Sequence, residues 1–468
     1  MPDRPNILLI ISDEHSAAAT GFADHPNVQT PALDRLAAEG FAFRNAYCNS
    51  PMCVPSRMSF LSGRYSSEVE IWDNGSSLNS EIPTFATYLE ASGYETSLCG
   101  RMHMVGGDRT HGFGRRIFDD KFKWQSMRQT PSRTAAWRRG SNSHVAECGP
   151  GDGSWLEYDG TVADIAHRFL EGKARQADGG RDTKPWLLVT GFMFPHFPLI
   201  CPRKYFESYF PDNVSLSPTA DEKLEDQHPW IRQMRKGFRN DQVVPESLQR
   251  RATASYYGLI TLVDRYVETL MSVIEESALK DNTIIIYTSD HGEMGGDHGI
   301  WQKQCFYESA VRVPLVMRIP SPFVPRGARP GVSLESAVSL VDIAPTLLDL
   351  ASERIPGGWP GRSLIDLLAG GVVPDRAVFS EYHAQGSLTG GFMIKKGNLK
   401  LNYYVGDTPE LFDLSADPYE MSSVALDPSF RASVDELESI LRSILDPEEI
   451  DSIAKADQER RINQAELR

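Results

Sequence analysis

Short apolar runs alternate with amphipathic stretches along the first three quarters of the chain. The runs are continuously apolar, without polar alternation, which is typical of strands buried on both faces of a parallel sheet. The amphipathic stretches have the spacing of helices that cover such a sheet. The pattern predicts strands at residues 6–12, 94–99, 186–193, 283–288 and 313–319, and helices at residues 31–40, 82–92, 247–276 and 338–351.

Local signals support the first predicted helix. Thr30 is a good N-cap residue, Pro31 suits the first helical position, and Gly40 is typical of a helix end. Two long segments lack such signals. Residues 104–160 are rich in Gly, Arg and Trp, and residues 211–247 are polar. Both are predicted to be loops, and the first is expected to lie over a ligand site.

The pattern changes after about residue 370. Residues 377–382 and 392–404 are predicted to be strands, with a turn at Lys396-Gly397-Asn398, and residues 429–445 a helix. Residues 449–468 are strongly charged and are predicted to fray. We therefore predict a catalytic α/β domain at residues 1–370, with a large mostly parallel sheet sandwiched by helices. Residues 371–468 are predicted to form a smaller α+β subdomain with an antiparallel sheet and a terminal helix.

The chain of 468 residues carries 48 Lys and Arg residues against 63 Asp and Glu residues, for a formal net charge of -15. An acidic surface argues against nucleic acid as a partner, because phosphate binding requires a positive field. A site for an anionic substrate must therefore be locally basic. The six cysteines show no zinc-ligand spacing, and a structural disulfide is the less favoured interpretation.

The apolar run at residues 7–11 is too short for a signal-peptide core, and no small-residue cleavage site follows it. No apolar segment of the sequence reaches the length of a membrane span. We therefore expect a cytoplasmic protein without a membrane partner. Whether the chain forms a homo-oligomer stays open.

Polar side chains follow the predicted strands at the points where they end. Asp13 and Glu14 follow the first strand, His103 lies a few residues beyond the second, His196 follows the third, and Asp290 and His291 follow the fourth. Because the carboxyl ends of parallel strands meet at one edge of a sheet, these side chains are expected to converge. A ligand set made up mostly of hard carboxylate oxygens favours calcium, magnesium or manganese over zinc. Taken singly, each group is equally consistent with strand-end capping or a structural histidine.

The run Cys53-Val54-Pro55-Ser56-Arg57 carries a candidate nucleophile. A proline near a helix start places Cys53 at the positive end of a helix, where backbone N–H groups bind anions. Arg57 adds a cation with bidentate geometry for sulfate or phosphate. A buried structural cysteine is the alternative, and the residues alone do not decide between it and a reactive thiol.

Four more basic side chains are candidates for anion contacts. Arg101 and His103 stand two residues apart, so they point the same way in an extended segment. Lys303 lies twelve residues beyond His291, and His298 lies between them. Each of these side chains, taken alone, is more often a solvated surface residue.

Together these residues resemble the type I sulfatase family of the alkaline phosphatase superfamily. The resemblance spans most of the chain, and its most specific part is the Cys53-to-Arg57 run with Ser62-Gly63-Arg64 behind it. Further matching segments lie at residues 5–13, 31–43, 100–103, 195–198 and 289–314. The resemblance implies an alkaline phosphatase-like fold and a sulfuric ester hydrolase.

The resemblance also implies the chemistry. In this family a formylglycine-generating enzyme recognises the cysteine motif and oxidises the cysteine to formylglycine, an aldehyde that hydrates to a geminal diol. One hydroxyl, held on a divalent cation, attacks sulfur, and the alcohol leaves. The second hydroxyl then expels sulfate from the covalent intermediate and restores the aldehyde. Calcium is the metal expected first, with magnesium or manganese as alternatives.

Carried over by position, the resemblance gives each candidate a role. Arg57 and Arg101 would orient the diol, and His103 would accept the proton that drives sulfate elimination. His196 and Lys303 would bind the sulfate oxygens and help to protonate the leaving oxygen. The predicted metal ligands, beside the modified Cys53, are Asp13, Glu14, Asp290 and His291.

Two positions depart from the family pattern: Arg101 stands where lysine is usual, and Glu14 where aspartate is common. Charge is kept at both positions, but the contact geometry differs. Either change is a candidate cause of an altered metal preference or of a preference for another anion.

Within the family, the likeness is to the choline-sulfatase and arylsulfatase branch. Weaker candidates for substrate binding are Asn74, His298, Glu381 and His383. A quaternary ammonium group would need an aromatic cage, for which Trp72, Trp124 and Phe306 are candidates, although core or loop packing is the commoner role of such residues. Choline sulfate is therefore not predicted as the substrate.

The predicted reaction is hydrolysis of a small aryl or alkyl sulfate monoester to an alcohol and inorganic sulfate. The nearest rival is a phosphonate monoester or phosphodiester hydrolase that uses the same site, which the Pro-Ser-Arg sequence after Cys53 disfavours. A non-catalytic anion-binding protein with an unmodified Cys53 is the alternative from another class.

Overall fold

The computed structural model describes residues 4–121, 133–134, 136–180, 184–370 and 376–466 of the chain. The strands are β1 (Asn6–Asp13), β2 (Phe41–Phe43), β3 (Ala46–Tyr47), β4 (Glu95–Gly100), β5 (Arg115–Phe118), β6 (Cys148–Pro150), β7 (Trp186–Pro195), β8 (Leu199–Cys201), β9 (Thr283–Ser289), β10 (Arg312–Val313), β11 (Leu315–Arg318), β12 (Val332–Leu334), β13 (Val338–Ser339), β14 (Val378–Tyr382), β15 (Gly391–Lys396), β16 (Leu399–Tyr404) and β17 (Glu410–Asp413).

The helices are α1 (Pro31–Glu39), α2 (Cys53–Ser62), α3 (Phe85–Ala91), α4 (Ser143–Ala146), α5 (Ser154–Asp178), α6 (Arg203–Phe206), α7 (Pro229–Gly237), α8 (Glu246–Glu275), α9 (Glu308–Val311), α10 (Ile343–Leu350), α11 (Ile365–Leu368), α12 (Arg431–Ile444) and α13 (Pro447–Glu466). Among the described helices, none has both the length and the apolar composition to cross a membrane.

The main sheet has eight strands in the order β12-β2-β11-β9-β1-β7-β4-β5. The strands from β9 to β5 are parallel, and β1 is hydrogen-bonded to both β9 and β7. Strand β11 runs antiparallel to both β9 and β2, and so ends the parallel part. The prediction of a large, mostly parallel sheet is confirmed.

Both faces of this sheet are covered by helices. Alternate residues of β1 enter different cores: Ile7, Leu9 and Ile11 join the core that includes α2, α3 and α10. Leu8 and Ile10 join the core that includes α1, α5 and α8. None of these five side chains has exposed surface. The continuous apolar run therefore reflects burial on both sides, at the centre of a helix–sheet–helix sandwich.

Helix α1 begins at Pro31 after Thr30, as the sequence signals predict. The Thr30 hydroxyl, however, makes no capping bond to the helix. The Asp264 carboxylate on α8 accepts the N–H groups of Ala32 and Leu33 instead, at 3.1 and 2.9 Å. A carboxylate from a distant helix thus satisfies free N–H groups of α1 and joins α1 to α8.

The C-terminal part folds into an antiparallel sheet of β14, β15, β16 and β17. One face packs against α12 through a small core that includes Phe392, Leu411 and Leu437. The opposite face contributes Tyr382 and Met393 to the large core that includes α2. This smaller α+β subdomain confirms the predicted fold class, while the boundary at residue 370 stays a prediction.

Several local predictions are wrong or incomplete. Residues 338–351 are not one helix, because β13 and a 3-10 turn precede α10. The segments predicted as loops contain regular structure: residues 104–160 include β5, β6 and the start of α5, and residues 211–247 include α7. Their polar composition reflects one solvent-facing side rather than the lack of a helix. Trp124 lies outside the described residues.

The prediction that residues 449–468 fray is wrong, because Pro447–Glu466 form helix α13. Gln458 and Arg461 of this helix both donate to the carboxylate of Asp73, Arg461 through a 3.0 Å bond to Oδ1. Asp73 has no exposed surface. The ion pair therefore holds α13 against the loop that follows α2. The charged composition of these residues predicts a frayed, solvent-exposed tail. The tail is instead an ordered helix, because the buried Asp73 carboxylate supplies a counter-charge for Arg461.

Removing this cation should weaken the docking of α13. We expect Arg461→Gln to lower the free energy of unfolding by about 3 kcal/mol, because it leaves the Asp73 carboxylate buried without its counter-charge. Arg460→Gln is the matched control, since Arg460 is exposed and pairs with Asp457 on the same helix. Urea unfolding followed by circular dichroism measures both. Equal stability of the two variants would contradict the role of the pair.

Candidate active site

Four parallel strands deliver polar side chains to one edge of the main sheet. Strand β1 ends at Asp13, and Asp290 and His291 directly follow β9. Arg101 follows β4, and His196 follows β7. All five side chains are buried. The structure brings Asp13, His196, Asp290 and His291 together as the positions of the strand ends predict, and it places Arg101 beside them.

Cys53 is the first residue of α2, at the end of the helix where backbone N–H groups are free. Its Sγ lies 3.8 Å from Asp13 Oδ1 and 3.3 Å from His291 Nε2. The Asn74 side chain accepts the Val54 N–H at 2.9 Å. The helix dipole places residue 53 where a negatively charged group is stabilised.

Arg57, one turn further along α2, links two strand ends. Its Nε donates to Asp290 Oδ2 at 2.8 Å, and one terminal nitrogen donates to Asp13 Oδ2 at 3.0 Å. The other terminal nitrogen donates to the Arg101 carbonyl at 3.0 Å, and Arg101 Nε donates to Asp13. Arg57 and Asp13 have no exposed surface, so these bonds replace the water that burial removes.

A group of potential metal ligands surrounds residue 53: the ligand atoms of Asp13, Cys53, Asp290 and His291 lie within 4.8 Å of one another. His291 Nδ1 is 3.0 Å from the Gly292 carbonyl. Donation of a proton to that carbonyl leaves Nε2 as an acceptor that faces Cys53. Two carboxylates and an imidazole nitrogen suit a divalent cation. The residues present therefore fit the predicted metal.

Glu14 is placed differently from the other predicted metal ligands. Its carboxylate lies 3.0 Å from Lys303 Nζ and 3.3 Å from His196 Nε2. It groups with Asp13 and His196 rather than with Cys53. Burial raises the pKa of Glu14 well above its usual value, against the opposing charge of Lys303. A metal-ligand role for Glu14 stays a prediction, whereas its contacts with Lys303 and His196 are observed.

Backbone strain marks this edge of the sheet. Glu14 and His103 have φ of 70° and 56°, and Gln302 and Gln304 have φ of 84° and 77°. Non-glycine residues rarely adopt this left-handed region, and each such residue costs about 1–3 kcal/mol. Tertiary bonds offset the cost, as where the Asp120 carboxylate accepts the His103 N–H at 3.2 Å. These four are among eleven non-glycine residues with positive φ in the described part of the chain, and backbone strain of this kind is a feature of many functional sites.

The electrostatics of the site keep the Cys53 thiol protonated. Burial, and after it the Asp13 carboxylate, raises the pKa of Cys53 to about 12. Burial also acts to raise the pKa of Asp13, but the guanidinium groups of Arg101 and Arg57 hold that pKa well below its usual value. The site therefore contains an ionised carboxylate beside a neutral thiol.

Two neutral histidines lie at the cavity. His103 Nδ1 is 3.1 Å from a guanidinium nitrogen of Arg101, and His196 Nδ1 is 2.6 Å from the Phe197 carbonyl. Burial lowers the pKa of both side chains well below the usual value, with Arg101 adding to the effect at His103 and Lys303 at His196. Both imidazoles are therefore uncharged at neutral pH.

A cavity of about 420 Å³ opens over Cys53. Its size suits a small-molecule ligand. The sequence-predicted residues that line it are Cys53, Asn74, Arg101, His103, His196 and Lys303. The other lining residues include Trp137, Arg139, Trp155, Phe197, Phe238, Gln302, Gln304 and Gln385. Three of these come from the Trp- and Arg-rich segment predicted to lie over the site, which was the only signal for them.

Three predicted substrate-binding residues do not line this cavity. His298 stacks on Tyr307 with ring centroids 3.8 Å apart. Glu381 accepts bonds from the backbone and hydroxyl of Ser67, and its other oxygen lies 2.9 Å from His383 Nε2. These contacts hold all three side chains inside the protein, away from the cavity. The expectation that they bind substrate is therefore not supported, in contrast to Asn74.

The aromatic residues considered for an ammonium cage are core residues where the structure describes them. Trp72 packs edge-on against His383, with ring centroids 5.3 Å apart. Phe306 stacks on Trp230 with ring centroids 6.1 Å apart. Both Trp72 and Phe306 are buried, so neither faces the cavity over Cys53.

Comparison with known families gives matches along most of the chain. The sulfatase family model matches residues 5–353, and the model of the C-terminal region of N-sulphoglucosamine sulphohydrolase matches residues 296–463. The choline-sulfatase of Rhizobium meliloti (strain 1021) is 33% identical over 446 residues, which cover 92% of this chain and 84% of that protein. The arylsulfatase of Clostridium perfringens (strain 13 / Type A) is 28% identical over 458 residues and 94% of each chain.

Solved structures share the fold. The phosphonate monoester hydrolase of Agrobacterium radiobacter has a TM-score of 0.74 at 24% identity, covering 94% of this chain and 95% of that one. A protein solved with its substrate D-glucosamine-2-N,6-O-disulfate has a TM-score of 0.75 at 23% identity, covering 94% and 97%. At these identities the likeness shows a shared hydrolase fold and nothing finer. The family model and the choline-sulfatase relative show the family: the chain belongs to the sulfatase family and is a sulfuric ester hydrolase.

Proposed function

We propose that the chain hydrolyses aryl or alkyl sulfate monoesters to an alcohol and inorganic sulfate, through a formylglycine made from Cys53 and a divalent cation beside it. The observation that carries the proposal is the position of Cys53. It begins α2, and its Sγ lies within 4.8 Å of ligand atoms of Asp13, Asp290 and His291. A nucleophile position, a metal-binding donor set and a helix N-terminus thus meet at one point.

The proposed modification accounts for the properties of Cys53. A thiol with a pKa of about 12 is protonated at neutral pH and is a poor nucleophile. Formylglycine supplies, as its hydrate, an oxygen nucleophile with a second hydroxyl that can expel sulfate. Because Cys53 is 2% exposed in the folded chain, the proposed partner, a formylglycine-generating enzyme, must act before folding is complete.

The proposed cation is calcium, with magnesium or manganese as alternatives, held by Asp13, Asp290 and His291 together with residue 53. Carboxylate oxygens are the preferred ligands of these hard cations. When bound, the cation acts as a Lewis acid that neutralises charge on the sulfate oxygens. Glu14, which groups with Asp13 at the same edge, is the further proposed ligand.

Two arginines prepare the nucleophile position in this proposal. Arg57 and Arg101 both donate to Asp13, and so keep its carboxylate ionised and oriented toward residue 53. Arg57 also fixes Asp290 through Nε. Their remaining positive charge favours an anionic group in the cavity.

The other cavity residues have proposed roles in proton transfer. His103, neutral in the site, is the proposed base for sulfate elimination. Burial acts to lower the pKa of Lys303, but nearby acidic groups, Glu14 and Asp13 among them, outweigh it and raise that pKa. Lys303 therefore carries a proton at neutral pH. With His196, it is proposed to bind the sulfate oxygens and to protonate the leaving oxygen.

Hydrolysis of phosphonate monoesters is the second candidate. A phosphonate monoester hydrolase has the same fold, and phosphonate and sulfate esters present similar tetrahedral oxyanions. That likeness, at 24% identity, shows the fold alone. The Cys53-Val54-Pro55-Ser56-Arg57 run supports the sulfate ester as the better substrate.

A matched pair of substrates tests the proposed reaction. Protein produced together with a formylglycine-generating enzyme should hydrolyse 4-nitrophenyl sulfate with a kcat/KM at least about tenfold above that for 4-nitrophenyl phenylphosphonate, which has the same leaving group. Cys53→Ala should lose at least about a thousandfold on both esters, because the nucleophile is gone. A higher kcat/KM on the phosphonate would overturn the sulfate assignment.

Loss of one carboxylate tests the proposed metal site. Asp290→Asn should bind the divalent cation at least about tenfold more weakly, because a charged oxygen ligand becomes a neutral amide. Asp281→Asn is the control, since Asp281 is an exposed carboxylate just before β9, at the opposite end of the strand from Asp290. Elemental analysis after dialysis against graded free metal gives the affinities, and circular dichroism confirms folding. Unchanged affinity in Asp290→Asn would refute the ligand assignment.

A further inference from the structure

The active-site cavity is cationic, although the chain as a whole carries a net charge of -15. None of the described residues that line it is Asp or Glu, whereas Arg101, Arg139 and Lys303 all line it. Arg101 pairs with Asp13, and Lys303 pairs with Glu14 at 3.0 Å. These two cations belong to the sulfate end of the site. Arg139 is a third cation, outside that group.

Arg139 is held in place by contacts in which no described acidic side chain takes part. Its guanidinium donates to Gln302 Oε1 at 2.8 Å and lies 4.8 Å from the centroid of the Phe197 ring. Its backbone N–H donates to the Gly237 carbonyl at 2.8 Å, and its own carbonyl accepts a 2.6 Å bond from Arg239. Within the described part of the chain, no carboxylate reaches Arg139 at ion-pairing distance. Its charge is therefore available to a ligand in the cavity.

Gln302 provides a second, independent sign of a missing ligand. Its side chain is 2% exposed, and its Nε2 has no hydrogen-bond partner among the residues that the structure describes. The bond from Arg139 to Oε1 fixes which end of the amide is the donor. A buried donor without an acceptor is unfavourable, and native structures rarely leave one. Gln302 and Arg139 together offer donors suited to a negatively charged acceptor.

We propose that Arg139 is a specificity-determining residue, which selects sulfate esters whose organic part carries a second anionic group and disfavours those that carry a quaternary ammonium group. The second group is a carboxylate or a further sulfate, both of which an arginine binds through charge-assisted, bidentate contacts. The inference rests on the proposed sulfate-ester reaction, because it assigns the organic part of that substrate.

The aromatic residues of the cavity do not favour an ammonium group. Such a group binds over an aromatic face, but Arg139 already covers the face of Phe197 and repels a second cation. Trp137 packs edge-on against Phe238, with ring centroids 5.0 Å apart. These rings remain suited to the apolar face of a ring-shaped alcohol. The charge on Arg139, rather than the aromatic content, decides between the two classes of substrate.

Four phenyl sulfates, differing only in a para substituent, test the proposal on protein with converted residue 53. The substituents are carboxymethyl, sulfomethyl, hydroxymethyl and trimethylammoniomethyl. The kcat/KM ratio of either anionic ester to the ammonium ester should fall at least about tenfold in Arg139→Gln and further in Arg139→Glu, because the attraction is lost and then reversed. Each kcat/KM ratio is compared between variant and wild type, so differences in the intrinsic reactivity of the esters cancel. The two anionic esters show whether the planar or the tetrahedral anion is preferred.

Two variants control for effects other than charge at this position. Arg139→Lys should keep most of the preference for anionic esters, and Arg138→Gln, at an exposed neighbouring residue, should leave all ratios within about twofold of wild type. A ratio in Arg139→Gln within twofold of wild type would overturn the proposal while leaving the reaction intact. If converted wild type hydrolyses none of the esters, the proposed function has failed, and this inference falls with it.

Discussion

Two carboxylates, Asp13 and Asp290, lie close together where water is excluded, and Arg57 makes this arrangement stable. One guanidinium bonds to both carboxylates, at 3.0 and 2.8 Å. Removing one partner from such a buried group costs about 3–5 kcal/mol. Asp13 ends β1, Asp290 follows β9 and Arg57 lies on α2. This one contact therefore ties the centre of the sheet to the helix that carries Cys53.

The same constraint explains how an acidic protein is built to act on an anionic ester. The carboxylates that Arg57 neutralises face residue 53, where they suit a cation, while Lys303 and Arg139 line the cavity from which a substrate enters. Charge thus alternates over a short distance: carboxylates around the proposed metal, then cations around the substrate. Contacts to the organic part of the substrate can orient its sulfur toward residue 53, which lowers the barrier to reaction.

Much of this arrangement was predictable from sequence, because it follows from local patterns. Continuous apolar runs identify β1, β7 and β9, parallel topology brings their carboxyl ends together, and Pro55 marks the start of α2. The remainder depends on contacts between distant segments. Asp264 caps α1 from α8, Arg461 neutralises Asp73, and Arg139 reaches the cavity from a segment without a motif. Such partners leave no pattern near either residue, so only the folded chain reveals them.

The conversion of residue 53 is the measurement that tests the central claim most directly. Oxidation of the Cys53 side chain from CH₂SH to CHO lowers the mass of its peptide by about 18 Da, so mass spectrometry gives the converted fraction of each preparation. We predict that the turnover of 4-nitrophenyl sulfate rises in proportion to that fraction and extrapolates to zero when none is converted. Activity in fully unconverted protein, or none in converted and metal-loaded protein, would contradict the account.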